Sequence, residues 1–189
     1  MQIPAGEIGF DFDGVIANTA SYFINLAKEK HNIHINLEDI TNFDVEECLN
    51  MSKEMADDIF MEIMQDSMST RLQPLAGAIQ TLSKIAQKHS ATIITARPIQ
   101  RPVEIWLERH FSAEILPKIN LVAMGDHDGK VRYARERGIK YFVDDRADTC
   151  LQFARENFTP LVFEQPWNRG RHSLTTVSNW QEIQDLVEI

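Results

Sequence analysis

Cysteine is scarce in this chain of 189 residues: Cys48 and Cys150 are the only two, far apart and in segments of different character. A disulfide framework and a four-cysteine zinc site are therefore excluded, and both thiols read as buried packing residues. Positive charge is short too, with 19 Lys and Arg against 28 Asp and Glu and a formal net charge of −9. A phosphate backbone would meet repulsion over most of such a surface, which excludes duplex nucleic acid as a partner. Long apolar runs are missing, and the opening "MQIPAGEI" has neither a basic region nor an apolar signal core. The expectation is a protein without a membrane segment, located in the cytoplasm. No internal repeat or low-complexity tract occurs, and nothing in the sequence bears on oligomeric state.

What is present is ordinary for a globular protein: 43% apolar and 25% charged residues. The length suffices for one core domain plus a sizeable insertion. Short β-branched runs, Glu7 to Asp11, Ala91 to Thr95, Ile119 to Met124, Lys140 to Asp144 and Pro160 to Phe163, alternate with helix-period segments. That alternation predicts an α/β fold, a Rossmann-like parallel sheet covered by helices. Val103, Trp106, Leu107 and Phe111 mark one crossover helix, Ile79, Leu82 and Ile85 another, and Ser178 is the expected N-cap of a closing helix. About eighty residues separate the first two strands, where a dozen or more suffice for a crossover. Residues 19–72 are thus predicted to form a small helical cap inserted after strand one, on a core made of 1–18 and 73–189. Its helices are expected in "SYFINLAKEKHN" and "SKEMADDIFMEIMQDSM", with Met51, Met55, Met61, Met64 and Met68 packing them together.

The polar groups gather where the runs end. "IGFDFD", "TIITAR" and "YFVDDR" turn from apolar to polar at their C-terminal ends, the edge at which open α/β sheets bind ligands. Asp11, Asp13, Asp144 and Asp145 would then share one site. Two like charges about 4 Å apart repel by roughly 4 kcal/mol at an effective dielectric near 20, so cations must accompany them. With carboxylates on offer and no convergent His or Cys, a hard, oxygen-preferring ion such as Mg²⁺ fits. Thr95, closing "IITAR", and Lys130, opening a helix, are the remaining polar groups there; Lys118 or Lys140 could stand in for the latter. A hydroxyl, an ammonium and a cation around a carboxylate nucleophile are what phosphoryl transfer requires. The bland alternatives are that Asp13-Gly14 is simply a turn and that Arg97 and Arg146 make surface ion pairs.

The set "DFDGV", "ITAR", Lys130 and "VDDR", in that order, resembles the four motifs of the haloacid dehalogenase superfamily of phosphatases. The resemblance implies that Asp11 attacks phosphorus and forms an aspartyl-phosphate. It implies that Asp13 protonates the leaving oxygen and later activates water, and that Thr95, Ala96, Arg97 and Lys130 hold the substrate. The metal would be held by the carboxylate of Asp11, the main-chain carbonyl of Asp13 and an acid of the last motif, Asp145 by preference, with Asp144 acting through water or orienting Lys130. "DFDGVIANT", "TARP", "VDDR" and "FEQPWNR" further resemble the bacterial relatives of the 5′(3′)-deoxyribonucleotidases, with Asn18 where those enzymes tend to carry an acid. The implied substrate is a small phosphorylated metabolite such as a (deoxy)nucleoside monophosphate. The alternative is a catalytically idle, phosphate- or partner-binding member of the same fold. Tyr22, Phe23, Phe43 and Phe60 could face a base or pack the cap. Asn168 and Arg169 are placed to border the site, and Trp167 either joins them or covers the sheet end. "DHDG", from Asp126, lacks the further acids of a calcium loop and is set aside.

Overall fold

A computed structural model describes residues 2–65, 71–125 and 129–189; Met68 and Asp126 lie outside them. Five of the runs form parallel strands: β1 (Ile8–Phe10), β2 (Ala91–Thr95), β3 (Ile119–Ala123), β4 (Tyr141–Asp144) and β5 (Thr159–Phe163). A sixth, β6 (Thr176–Val177), completes the order β3-β2-β1-β4-β5-β6. The strands of the sheet's middle are buried on both faces, which is why they read as continuous apolar runs rather than alternating ones. β1 is shorter than expected because Ala5–Glu7 form a 3₁₀ turn ahead of it and Asp11 steps out beyond it. β6 was not expected; two residues are too few for a periodicity.

Helices cover the sheet: α3 (Ala78–Lys88), α4 (Gln100–His110), α5 (Lys130–Glu136), α6 (Ala147–Arg155) and α7 (Trp180–Leu186), after α1 (Thr19–His31) and α2 (Lys53–Gln65) of the inserted stretch. Val103, Trp106, Leu107 and Phe111 are all buried, as their spacing predicts. The closing helix is capped one residue later than expected. Asn179 accepts from the Glu182 N–H at 3.0 Å, and the Ser178 N–H donates back to the Glu182 carboxylate at 2.8 Å. Its Trp180 packs on Phe10, ring centroids 5.2 Å apart. Among the described residues no helix is long and apolar enough to cross a membrane.

The chain leaves and re-enters the core at a narrow neck, where Ala17 bridges Pro74, the Asn18 N–H donates to the Gln73 carbonyl and the Leu75 N–H to the Ile16 carbonyl, both at 2.8 Å. Asn18 is the N-cap of α1, accepting from the Ser21 N–H at 3.2 Å. α1 packs on α2, and Lys30 reaches across to Asp58 and Glu62 at 2.6 and 2.9 Å. The buried stripe of α2 is Ala56, Ile59 and Ile63; of the described methionines, Met51 packs against the core, Met55 and Met64 are partly buried and Met61 is half-exposed. Ala, Ile and Ile recur at the i, i+3, i+7 spacing that faces one way, and Met61 falls beside it. Tyr22 belongs to the core. Cys150 is buried as expected, whereas Cys48 is only half-buried.

Candidate active site

β1 lies between β2 and β4, and the chain departs from it in both directions, so the ends of these three strands face one crevice. Asp11 follows β1, Thr95 ends β2 and Asp144 ends β4. The Asp11 N–H still donates to the Val143 carbonyl at 2.8 Å, fixing the first acid beside the last pair. One carboxylate oxygen from each of Asp11, Asp144 and Asp145 falls within 4.8 Å of the others, and all three residues are buried.

Lys130 supplies the cation among them. Its ammonium, 2% exposed, lies 2.8 Å from Asp11 and 2.7 Å from Asp144. Burial alone would lower its pKa, but the two carboxylates outweigh it and hold the ammonium above its ordinary value. Lys140 is exposed on Glu7 and Lys118 is exposed as well, so neither stands in. Asp144 is fully engaged, one oxygen on Lys130 and the other accepting the Arg146 N–H at 2.8 Å. Among the described residues no salt bridge is found to Asp145. Burial, then repulsion from Asp144 and Asp11, pushes it well above its usual range. Burial likewise raises Asp11 from 3.8 to about 7, against the pull of Lys130.

Asp13 faces a different environment. Arg97 forks onto it, Nε to one oxygen at 2.8 Å and Nη2 to the other at 2.7 Å, and the Thr19 hydroxyl donates at 2.6 Å. Burial alone would raise Asp13, yet Arg97 outweighs it and holds the carboxyl below its ordinary value. The third arm of Arg97, Nη1, donates to the Ile63 carbonyl of α2 at 3.2 Å. Arg97 is thus a buried bridge between β2, Asp13 and the inserted helices, not a surface ion pair. Thr95 accepts the Arg97 N–H on its oxygen at 3.2 Å, which leaves its own proton to donate.

Above these groups lies a cavity of about 310 Å³. Thr95, Ala96, Arg97 and Lys130 line its floor with the four aspartates; Phe23, Phe43, Phe60, Ile63 and Met64 line the side formed by the inserted stretch, with Trp167 beside them. Phe23 and Phe60 pack at 4.9 Å between centroids, and the Arg146 guanidinium sits 5.2 Å from the Phe43 ring. Asp13-Gly14 is a turn as well as part of the site: Gly14 has φ +69°, and a Cβ there would stand 2.1 Å from an oxygen of Asp145.

Two residues emerged that sequence reasoning assigned no role in fixing the acids. Gln165 donates to the Gly14 carbonyl and Asn168 to the Asp145 carbonyl, each at 2.8 Å. The only sequence signal was the position of "QPWNR" after β5.

The chain as a whole is similar to known proteins. Residues 6–189 match the family described as 5′ nucleotidase, deoxy (pyrimidine), cytosolic type C protein. A nucleotidase of Clostridium acetobutylicum is 24% identical over 184 residues, 96% of this chain and 93% of its own. Among solved structures, a haloacid dehalogenase superfamily hydrolase from Ehrlichia chaffeensis superposes with a TM-score of 0.61 at 14% identity, covering 98% of this chain and 96% of that one. A haloacid dehalogenase-like hydrolase from Streptococcus pneumoniae gives 0.63 at 10% identity, covering 94% and 96%. These two show the shared fold.

Proposed function

From a chain that belongs to the 5′ nucleotidase, deoxy (pyrimidine), cytosolic type C family, and is by that membership a phosphatase, we propose a Mg²⁺-dependent hydrolase of nucleoside monophosphates that works through an aspartyl-phosphate on Asp11. The observation that carries the reading is the buried acidic cluster, with Lys130 between two of its members, under a cavity walled by aromatic side chains.

The donor set fits the ion. Asp11, Asp13, Asp144 and Asp145 face two cations, Lys130 and Arg97, so the cluster has room for a divalent charge, and its ligands are oxygens alone. Asp11, Asp145 and the carbonyl of Asp13 would hold Mg²⁺, which supplies charge compensation to the phosphoryl oxygens. Asp144, with both oxygens engaged, orients Lys130. Asp11 attacks phosphorus; the bond to the leaving oxygen breaks, and Asp13 gives that oxygen a proton. Asp13 then takes a proton from water as the water attacks the acyl phosphate, releasing phosphate and restoring Asp11. Thr95 donates to the phosphoryl group, and Lys130 compensates its charge. Ala96 and Arg97 frame the pocket, Arg97 acting on the substrate through Asp13. The Arg97 fork favours ionised Asp13, the form that accepts a proton; on this reading it leaves that fork and is protonated before it donates one.

A panel of phosphate esters, with Mg²⁺ and with chelator, tests the reading. Nucleoside monophosphates should be cleaved best, and only with Mg²⁺; full activity in excess chelator, or a preference for compact sugar phosphates, would overturn it. Where phosphorylation limits turnover, Asp13→Asn should slow alkyl phosphates by about 10²–10⁴-fold, the range for losing a general acid, and p-nitrophenyl phosphate much less, since its leaving oxygen needs no proton. Equal losses, with phosphorylation shown to limit both, would mean that Asp13 only holds the loop.

Without the ion, the acids set a pH dependence. Folded Asp11 keeps its proton up to pH about 7, while the unfolded chain loses it near 3.8. Below that lower value the two states bind alike. As pH rises through the window the folded state holds more protons than the unfolded one, so stability falls; Asp145 adds in the same direction. Urea midpoints in chelator should therefore drop between pH 4.5 and 7.5, and Mg²⁺ at pH 7.5 should restore them. Midpoints rising with pH in chelator would contradict the buried repulsion.

A further inference from the structure

The acids are held in place from behind by the loop that follows β5. Asn168 is 1% exposed, and all of its amide's bonding groups are used. Nδ2 donates to the carbonyls of Asp145 and Phe163, both at 2.8 Å, and Oδ1 accepts the Gln165 N–H at 3.2 Å. Gln165 in turn donates to the Gly14 carbonyl at 2.8 Å. The Asp145 carboxylate lies against Gly14, with no space for a Cβ there. One loop thus grips both sides of that contact, the last acid through Asn168 and the nucleophile's turn through Gln165.

Neither amide lines the cavity over the reacting groups, and an apolar cover in their place would leave the carbonyls of Gly14, Asp145 and Phe163 without donors. A buried amide that spends two donors on carbonyls of separate segments fixes their separation to within hydrogen-bond tolerance. Here the two segments are Asp145, just past the end of β4, and Phe163, which ends β5. We propose that Asn168 is a positioning residue: it holds the Asp145 main chain so that its carboxylate meets that of Asp11 at the spacing a divalent cation needs. This rests on the Mg²⁺ reading above. Arg169, next in the chain, pairs with Glu38, and Arg171 donates to the Thr41 carbonyl at 3.0 Å, so the same loop also docks the inserted stretch.

The test is calorimetric titration of Mg²⁺ alone into substrate-free protein, paired with urea unfolding in chelator. Asn168→Ala should raise the Mg²⁺ Kd by about 10–100-fold, the usual range for losing a group that orients a metal ligand. Val177→Ala, in β6 and away from the acids, should lower stability while keeping the wild-type Kd. An unchanged Kd in Asn168→Ala, with the wild type binding normally, would overturn the assignment. Absence of Mg²⁺ binding by the wild type would overturn the parent reading first and this one with it. If Asn168→Ala does not fold, Asn168→Ser, which keeps one donor, is read in the same way. Failure of both to fold would overturn the assignment by making the amide a requirement of folding itself.

Discussion

Gly14→Ala should lower turnover by about 10³–10⁴-fold in a protein that still folds. Two costs meet at this position. An L-residue at φ +69° pays roughly 1–2 kcal/mol for the left-handed backbone. Its Cβ would also lie 2.1 Å from an oxygen of Asp145 and 2.7 Å from the carboxyl carbon, well inside contact distance. The carboxylate must retreat by more than about 1 Å, and a misplacement of that size costs roughly 10²-fold in an oriented reaction, with a comparable factor if Asp145 holds Mg²⁺ as proposed. Gly138 separates the two costs: it has the same φ of +69° and nothing within 4 Å of its would-be Cβ. Gly138→Ala should lose stability and keep its turnover. Equal losses of turnover in the two variants would show that backbone strain, not crowding of Asp145, is responsible.

Lys130→Met should be the most destabilising single change in the site. It removes the ammonium that sits between Asp144, fully buried, and Asp11, while keeping the aliphatic stem. Breaking a buried pair in this way costs about 3–5 kcal/mol, because the partner's charge stays behind unpaired. Turnover should fall with it for every phosphate ester, since on the proposed mechanism the ammonium serves the chemistry shared by all of them. Urea unfolding in chelator measures the loss at two pH values. At pH 5 the orphaned carboxylates can take up protons, so the gap between variant and wild type should narrow relative to pH 7.5. An equal gap at both would assign the loss to packing, the ammonium lying 5.8 Å from the Phe142 ring.

The sheet and the acids at its edge were legible because they depend on local pattern. A run such as "YFVDDR" carries its strand and its polar end in consecutive residues, and the parallel topology then brings Asp11 and Asp144 together. What was not legible depends on where a side chain points. Arg97 was as consistent with a surface ion pair as with phosphate; its fork onto Asp13 and Ile63 requires the third dimension. Tyr22 and Phe23 are adjacent, so on a helix they diverge by about 100°, and only Phe23 reaches the cavity. The methionine spacing suggested a seam; on α2 the buried stripe is Ala56, Ile59 and Ile63, and Met61 is half-exposed. Asn168 was hardest, because its partners are main-chain carbonyls, which every residue possesses and no sequence marks.

The neck at Ala17 and Pro74 has an entropic consequence. The two ends of the intervening segment are already tied together by main-chain hydrogen bonds, so the core closes on itself whatever the segment's length. Closing a flexible loop costs only about 0.6 kcal/mol more for each doubling of its length. The inserted segment, which on the proposed reading would meet the leaving group, can therefore lengthen, shorten or be rewritten at a cost the sheet scarcely registers, whereas the turn at Gly14, a few residues upstream, has no space for one added methyl. On that reading, what is cleaved and how it is cleaved would be separated, along this chain, by the stretch from Gly14 to Asn18.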